Sequence, residues 1–445
     1  MSFIKQFFAT RGGFFTYFII LILLGSGLLL IPGLYRPGLL HPVDAFFTAV
    51  SAVCVTGLIT VNTADFNLLG QIVILFLIQC GGLGILTFAV VYLGPGRRKL
   101  SLRERRFIQE ISVESIEYHP RKIIRTVLTV TLGIEAVGAL ALLPFFIKSG
   151  TEYPIFAAVF HGISAFCNAG FSTFPNSLEG FAAAPGVQLI IMFLIILGGL
   201  GFAVILDCRL RFFKRKKRLA LHSHIVLVTT VILIVTGTLL YWLFESRGAY
   251  AELSFGKRIL ASLFQSITNR TAGFNTIPQG DYSLPTKLFT LPFMFIGGAS
   301  GSIAGGVKVS TFAVAMAALF SGFEERGGVV IRGRKLPSRT VHKAYIFLAK
   351  AFFILFISFF MIILAERNNL AQSVPLIDLL FETVSAFGTV GLSTGITAGF
   401  TAAGKLILAA TMFAGRVGLF AVALPLATSY QLRHIDFPEE EVMIG

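Results

Sequence analysis

The chain has 445 residues, of which 55% are hydrophobic and only 13% charged, with a mean hydropathy of +0.82. An ordinary soluble domain is about 25% charged. This composition therefore excludes disorder, a collagenous chain and a disulfide-rich secreted scaffold. It points away from a soluble enzyme with one core and toward a polytopic membrane protein. A net charge of +15 would suggest nucleic acid in a soluble chain, but here no basic patch carries interleaved aromatics, so no nucleic-acid partner is expected. Cys54, Cys80, Cys167 and Cys208 show neither CxxC nor disulfide-like spacing.

Apolar runs near 14–31, 68–94, 123–147, 187–206, 224–243, 286–320, 344–365 and 404–429 predict eight transmembrane helices, since about 20 apolar residues cross the bilayer core. The first follows Lys5 and Arg11 like a signal anchor, but no small-residue cleavage pattern follows it. Segments 97–122, 209–218 and 326–343 hold 8, 7 and 6 Lys/Arg, whereas the alternating segments 33–67, 148–186, 247–287 and 366–405 hold 1, 1, 5 and 2. Basic loops stay cytoplasmic, so the three rich segments and both termini are expected inside a multi-pass cell-membrane protein. The chain then divides into a first unit at 1–94, a basic loop at 95–122, a second unit at 123–208 and a basic loop at 209–220. A third unit follows at 221–322, with a glycine-rich stretch at 297–306, then a loop at 323–340, a fourth unit at 341–430 and a tail at 431–445.

The outward segments contain apolar stretches too short to span, such as Val43 to Val53 and Leu376 to Phe387. A helix of about 11 residues rises ~16 Å, roughly half the bilayer core. These read as re-entrant half-helices, with Pro42 and Pro375 as starts. They also align. Ser51-Ala52-Val53-Cys54-Val55-Thr56-Gly57, Ser164-Ala165-Phe166-Cys167-Asn168-Ala169-Gly170 and Ser385-Ala386-Phe387-Gly388-Thr389-Val390-Gly391 share serine and glycine positions. The third copy, Ile267-Thr268-Asn269-Arg270-Thr271-Ala272-Gly273, keeps the glycine and loses the serine. Phe47, Phe160, Leu263 and Phe381 stand ten residues before the four glycines, which are 113, 103 and 118 residues apart. Four like-oriented helix–half-helix–helix repeats predict an all-α membrane fold with four-fold pseudosymmetry around one pore; the charge pattern forbids inverted repeats.

Four half-helices would aim the negative ends of their dipoles at a common axis. Beyond them, backbone carbonyls can replace a cation's hydration shell where a glycine tolerates unusual dihedrals. The predicted filter is Val55-Thr56-Gly57, Asn168-Ala169-Gly170, Thr271-Ala272-Gly273 and Thr389-Val390-Gly391, with the cation at the carbonyls of Thr56, Gly57, Ala169, Gly170, Ala272, Gly273, Val390 and Gly391. Thr389-Val390-Gly391 partly echoes the TVGYG filter of potassium channels.

On these motifs the chain resembles the ion-translocating subunits of the Trk/Ktr/HKT superfamily of potassium transporters, and is most similar to the bacterial KtrB type, over nearly its whole length. The resemblance implies K⁺ as the transported ion, with Gly57 where plant HKT members can carry Ser, and Na⁺ as a candidate second ion. No covalent cofactor is expected. It also implies a homodimer seated on a cytosolic ring of nucleotide-binding (ATP/ADP) regulatory subunits of the KtrA type.

Gly297-Gly298-Ala299-Ser300-Gly301-Ser302-Ile303-Ala304-Gly305-Gly306 interrupts the sixth span. Each helical glycine costs about 1 kcal/mol relative to Ala, so the run is expected to unwind. It fails the P-loop pattern because Lys308 comes one place late. Gly81-Gly82-Leu83-Gly84 and Gly198-Gly199-Leu200-Gly201 are expected to remain helical. A flexible, uncharged loop below a filter reads as a gate, and the resemblance implies the same. Arg416 takes the equivalent place in the fourth unit, as a barrier to cations, an anchor for the gate, or a clamp between helices. Asp44 and Asp378 suit the first turns of half-helices and the drawing of cations to the mouth. The rival reading, a sodium- or proton-coupled carrier, needs intramembrane acids near the substrate path; almost none stand in the full spans apart from Glu135 and the edge residue Asp207. No catalytic set stands out.

Overall fold

The computed structural model describes residues 13–84, 120–212, 218–321 and 329–417. Most of the basic loop expected at 95–122, parts of the other two, the far ends of the spans at 68–94 and 404–429, and the tail at 431–445 lie outside this set. The first unit comprises α1 (Gly13–Leu29), α2 (Pro42–Val53) and α3 (Leu68–Gly82). The second comprises α4 (Pro120–Lys148), α5 (Pro154–Phe166), α6 (Pro185–Leu200) and α7 (Phe202–Phe212). The third has α8 (Leu221–Glu245), α9 (Phe255–Thr268), α10 (Leu284–Phe295) and α11 (Val309–Ser321), and the fourth α12 (Ser338–Glu366), α13 (Leu376–Gly388) and α14 (Ala402–Val417). A minimal hairpin pairs Val330–Ile331 with Arg334–Lys335.

The half-helices α2, α5, α9 and α13 have 12, 13, 14 and 13 residues, about 18–21 Å of rise. Proline sits in the first turn of α2 and α5 and caps α13, because its missing N–H costs nothing there. The repeated large residue faces inward: Phe47 and Phe160 are buried in one core against which Leu263 packs, and Phe381 is buried in a second cluster with Met294 and Val390. Outward faces are apolar too. Helices α4, α8 and α12 contain the described spans long and apolar enough to cross a membrane, yet only 33%, 22% and 17% of their apolar windows are buried within the chain. Val231, Val235, Phe352 and Phe356 are exposed. Such surface is stable only against lipid.

Of the eight expected spans, the sixth of them interrupted, the described residues show a part. Besides those three, α6 and α7 form a fourth only as a pair bent by 101°, while α1, α3 and α14 are shorter within the described residues. The span at 286–320 is split into α10 and α11, as the glycine count implied. The break between α6 and α7 was not foreseen, since Gly198–Gly201 was read as helical. Gly201 adopts φ +82, a region that glycine enters without penalty. The carbonyls left free at the end of α6 are taken up elsewhere: Gly199 O accepts the Ala299 N–H at 2.9 Å, and Gly198 O the Ile303 N–H at 3.4 Å. The two breaks thus stabilise each other.

Candidate functional site

Each half-helix ends in a turn built the same way. The residue two before each of the four repeat glycines is left-handed although it is not glycine: Val55 (φ 55), Asn168 (φ 55), Thr271 (φ 68) and Thr389 (φ 50). The glycines themselves have φ 96, 71, 74 and 89. Left-handed β-branched residues are outliers, each costing about 1–3 kcal/mol, and persist only when their surroundings over-determine them. Those surroundings are local. In the first unit Val55 N–H donates to Ala52 O at 3.1 Å, Thr56 N–H to Ser51 O at 2.8 Å and Gly57 N–H to Ser51 Oγ at 3.1 Å. The fourth unit repeats the set, with Gly391 N–H on Ser385 Oγ at 3.1 Å. In the second, Ala169 N–H donates to Ser164 O at 2.8 Å and Ser164 Oγ donates to Phe171 O at 2.8 Å. The third unit does not lose the hydroxyl. Thr268, one place later in the chain, donates to Phe274 O at 2.6 Å, the carbonyl equivalent to that of Phe171. All three turn amides of the first and fourth units are thereby occupied, with those of Asn168, Ala169 and Ala272, whereas no donor among the described residues reaches the carbonyls of Thr56, Gly57, Ala169, Gly170, Ala272, Gly273, Val390 or Gly391. Buried carbonyls are seldom left so.

The four turns meet. A Cβ on Gly57 would lie 2.5 Å from Ala169 O, one on Gly170 2.9 Å from Ala272 O, and one on Gly273 2.6 Å from Val390 O. One on Gly391 would strike Thr56 O and lie 2.9 Å from the Gly57 Cα. The contacts close a ring in chain order. The buried hydroxyls of Thr56, Thr271 and Thr389 have no partner among the described residues. Glycines let the partnering helices approach the half-helix ends: a Cβ at Gly81, Gly198 or Gly415 would strike the carbonyl of Val53, Phe166 or Phe387 respectively. The doubled glycines at 81–82 and 198–199 were the sequence signal for this approach, and had been read only as helix-tolerant.

The glycine-rich stretch lies against the same turns. A Cβ on Gly297 would lie 3.4 Å from Thr271 Cγ2, and one on Gly305 would strike the Thr389 hydroxyl. Ile303 Cγ2 approaches the Gly82 position at 3.3 Å. The stretch is unwound, as expected, but buried and tied: Gly301 O accepts the Phe202 N–H at 3.4 Å and Ala304 O accepts Lys308 Nζ at 2.6 Å. Arg416 completes the arrangement. Its guanidinium donates to Ile303 O in the stretch and to Gly81 O and Gly82 O at 2.6 and 3.3 Å. It thus joins the loop to the C-terminal end of α3, where a cation complements the dipole.

Two other candidates change character. Asp44 and Asp378 do sit in first turns, but each is ion-paired across a unit boundary, to Lys405 at 2.7 Å and Lys287 at 2.9 Å. They are anchors between units rather than free lures for cations. Glu135 is buried, with Gln79 Nε2 donating to it at 3.1 Å. Asn269 is wholly buried, its Nδ2 donating to the Tyr241 hydroxyl at 2.5 Å.

Half-helices delivering strained, carbonyl-bearing turns to one closed ring, beside helices whose outer faces are apolar, define a polytopic membrane protein. The chain belongs to the TrkH family of cation transport proteins, whose family model matches residues 16–432. It is 36% identical over 433 residues to the Ktr system potassium uptake protein B of Bacillus subtilis (96% of this chain, 95% of that one) and likewise 36% identical to the protein of the same name in Vibrio alginolyticus (95% and 92%). It is 34% identical to the potassium/sodium uptake protein NtpJ of Enterococcus hirae (96% and 95%). The fold matches the crystal structure of the potassium transporter TrkH from Vibrio parahaemolyticus with a TM-score of 0.74 at 20% identity, covering 94% of this chain and 85% of that chain.

Proposed function

We propose that this chain is the ion-translocating subunit of a potassium uptake system in the cell membrane, with four pore units in pseudo-fourfold array and a channel-like filter. The closed ring of turns carries the reading. Left-handed residues alternating along each turn direct successive carbonyls to one side, the arrangement that replaces a cation's hydration shell. The unpaired carbonyls at Thr56, Gly57, Ala169, Gly170, Ala272, Gly273, Val390 and Gly391 are the proposed ligands, and K⁺ is the cargo by the names of the relatives. Na⁺ is the second ion, supported by the name of the Enterococcus relative.

The stretch at 297–306 with Arg416 acts as the gate beneath the filter. The membrane potential supplies about 2.3 kcal/mol per charge per 100 mV, which suffices to drive uptake. A homodimer on a cytosolic nucleotide-binding ring of the KtrA type would regulate it, with the basic segments and both termini facing the cytosol. Potassium flux into vesicles reconstituted with the purified chain tests the reading: flux should follow the potassium gradient and voltage, with or without a sodium gradient. Flux that strictly requires a sodium or proton gradient would replace the channel-like reading with the coupled carrier.

A further inference from the structure

Behind the ring, three of the four half-helices reach outward to the chain segment that leaves the filter. In the fourth unit the link is Glu382, nine residues before Gly391 and wholly buried. One carboxyl oxygen accepts the Ser393 hydroxyl at 2.7 Å and the Thr394 N–H at 2.9 Å; the other accepts the Thr397 hydroxyl at 2.7 Å. Ser393 is the second residue after the filter glycine. In the second unit His161 holds the same place, with Nε2 2.9 Å from the hydroxyl of Ser172, again the second residue after the glycine. In the third, Gln265 Nε2 donates to Gln279 Oε1 at 2.6 Å. In the first, the matching residue is Thr48, whose hydroxyl has no partner.

We propose that Glu382 is a positioning residue for ion selectivity, its carboxyl group fixing the outer end of the fourth filter turn and hence the Val390 and Gly391 carbonyls. This rests on the filter reading above. The turn amides are tied to the helix end on the inner side, so a single-glycine turn lacks restraint only at its outer exit. Glu382 supplies that restraint with two acceptor atoms facing three donors. Asp378, one helical turn earlier, is held by Lys287. Carbonyls free to shift would close around a smaller ion; carbonyls held from behind would not.

The test is K⁺ and Na⁺ uptake by the full chain in vesicles, with KM and Vmax for each ion. Loss of two to three hydrogen bonds to one carboxyl group should lower the K⁺ over Na⁺ preference of Glu382→Val about tenfold, mainly through the K⁺ KM. Glu382→Gln, which keeps one acceptor, should lie between that variant and wild type, and Thr48→Val should match wild type. The Ser393→Ala/Thr397→Val double variant removes donors while leaving the half-helix intact, and should shift the ratio in the same direction by about threefold. It decides the matter if Glu382→Val does not assemble. A wild-type ratio in Glu382→Val, or in the loop double variant, alongside a shifted ratio in Gly391→Ser overturns this inference and leaves the filter standing. An unshifted ratio in Gly391→Ser overturns both.

Discussion

The proposed filter turns and the glycine-rich stretch against them are both irregular, largely buried backbone, yet only the stretch takes a large share of its bonds from other units. Each filter turn is fixed by its own half-helix, through bonds three to six residues back in sequence, such as Gly57 N–H to Ser51 Oγ. The stretch at 297–306 is held within its own unit, as by Gly297 N–H to Val307 O at 2.9 Å and Lys308 Nζ to Ala304 O at 2.6 Å, and also by other units: carbonyls at the end of α6, the Phe202 amide and the guanidinium of Arg416. Local bonds hold strained residues such as Val55 and Thr389 in place whatever the neighbouring helices do. Bonds from distant helices persist only while those helices stay in register, so a small displacement of α6, α3 or α14 would free the loop from its neighbours and leave only its own-unit bonds. A filter calls for the first kind of support and a gate for the second.

The largest effects should come from breaking the locally held region. A side chain at Gly391 meets both φ +89 and the Thr56 carbonyl, so the ring must open to accept it. Gly391→Asp should abolish potassium uptake in cells that depend on it. Gly391→Ser should relax K⁺ over Na⁺ preference by about tenfold or more, the equivalent of roughly 1.4 kcal/mol. Unchanged flux ratios in the serine variant would remove the ring from the permeation path.

Releasing the loop should have the reverse sign. Deleting residues 300–304 should raise basal flux, and a variant as tightly closed as wild type would count against a gating role. Arg416→Lys is the subtler probe. Lysine keeps the charge but lacks the planar fork that serves Ile303 O and the α3 carbonyls together. Losing one or two charge-assisted bonds costs about 1.5–3 kcal/mol each, so basal flux should rise, though less than in the deletion. A fall in flux with intact assembly would mean that the guanidinium organises the conducting state instead.

How much of this was legible in the sequence follows the same division. The half-helices, the four glycines and the unwound stretch were readable because they depend on local composition: short apolar runs, shared offsets and a density of glycine. The bend at Gly201 was missed because its cause is tertiary. Gly198-Gly199-Leu200-Gly201 looks like Gly81-Gly82-Leu83-Gly84, and only the amides of Ala299 and Ile303 make breaking one of them favourable. The Thr268 hydroxyl was not legible because it stands five residues before its glycine where the serines stand six, in a half-helix that ends five residues before its glycine against four, four and three in the others. The pairing of Asp44 with Lys405 spans 361 residues, a distance at which spacing carries no signal without the fold.

The two boundary ion pairs give the smallest expected effect and the finest test of how independent the filter turns are. Both flank the fourth unit: Lys287 of the third unit reaches Asp378, and Lys405 of the fourth reaches Asp44 of the first. Their side chains are 11–15% exposed, so water screens them in part and each pair should contribute only about 1 kcal/mol. Lys405→Met leaves Asp44 without its partner, but at the first turn of α2, where the helix dipole still favours a carboxylate. The thermal midpoint should therefore fall by no more than a few degrees, and Asp44→Asn should recover part of the loss in a double-mutant cycle. If each turn is held by its own half-helix, the K⁺ over Na⁺ ratio will not move in either single variant. A ratio that falls along with the midpoint would mean that the ring depends on its neighbours as the loop does, and the contrast between the two regions would collapse.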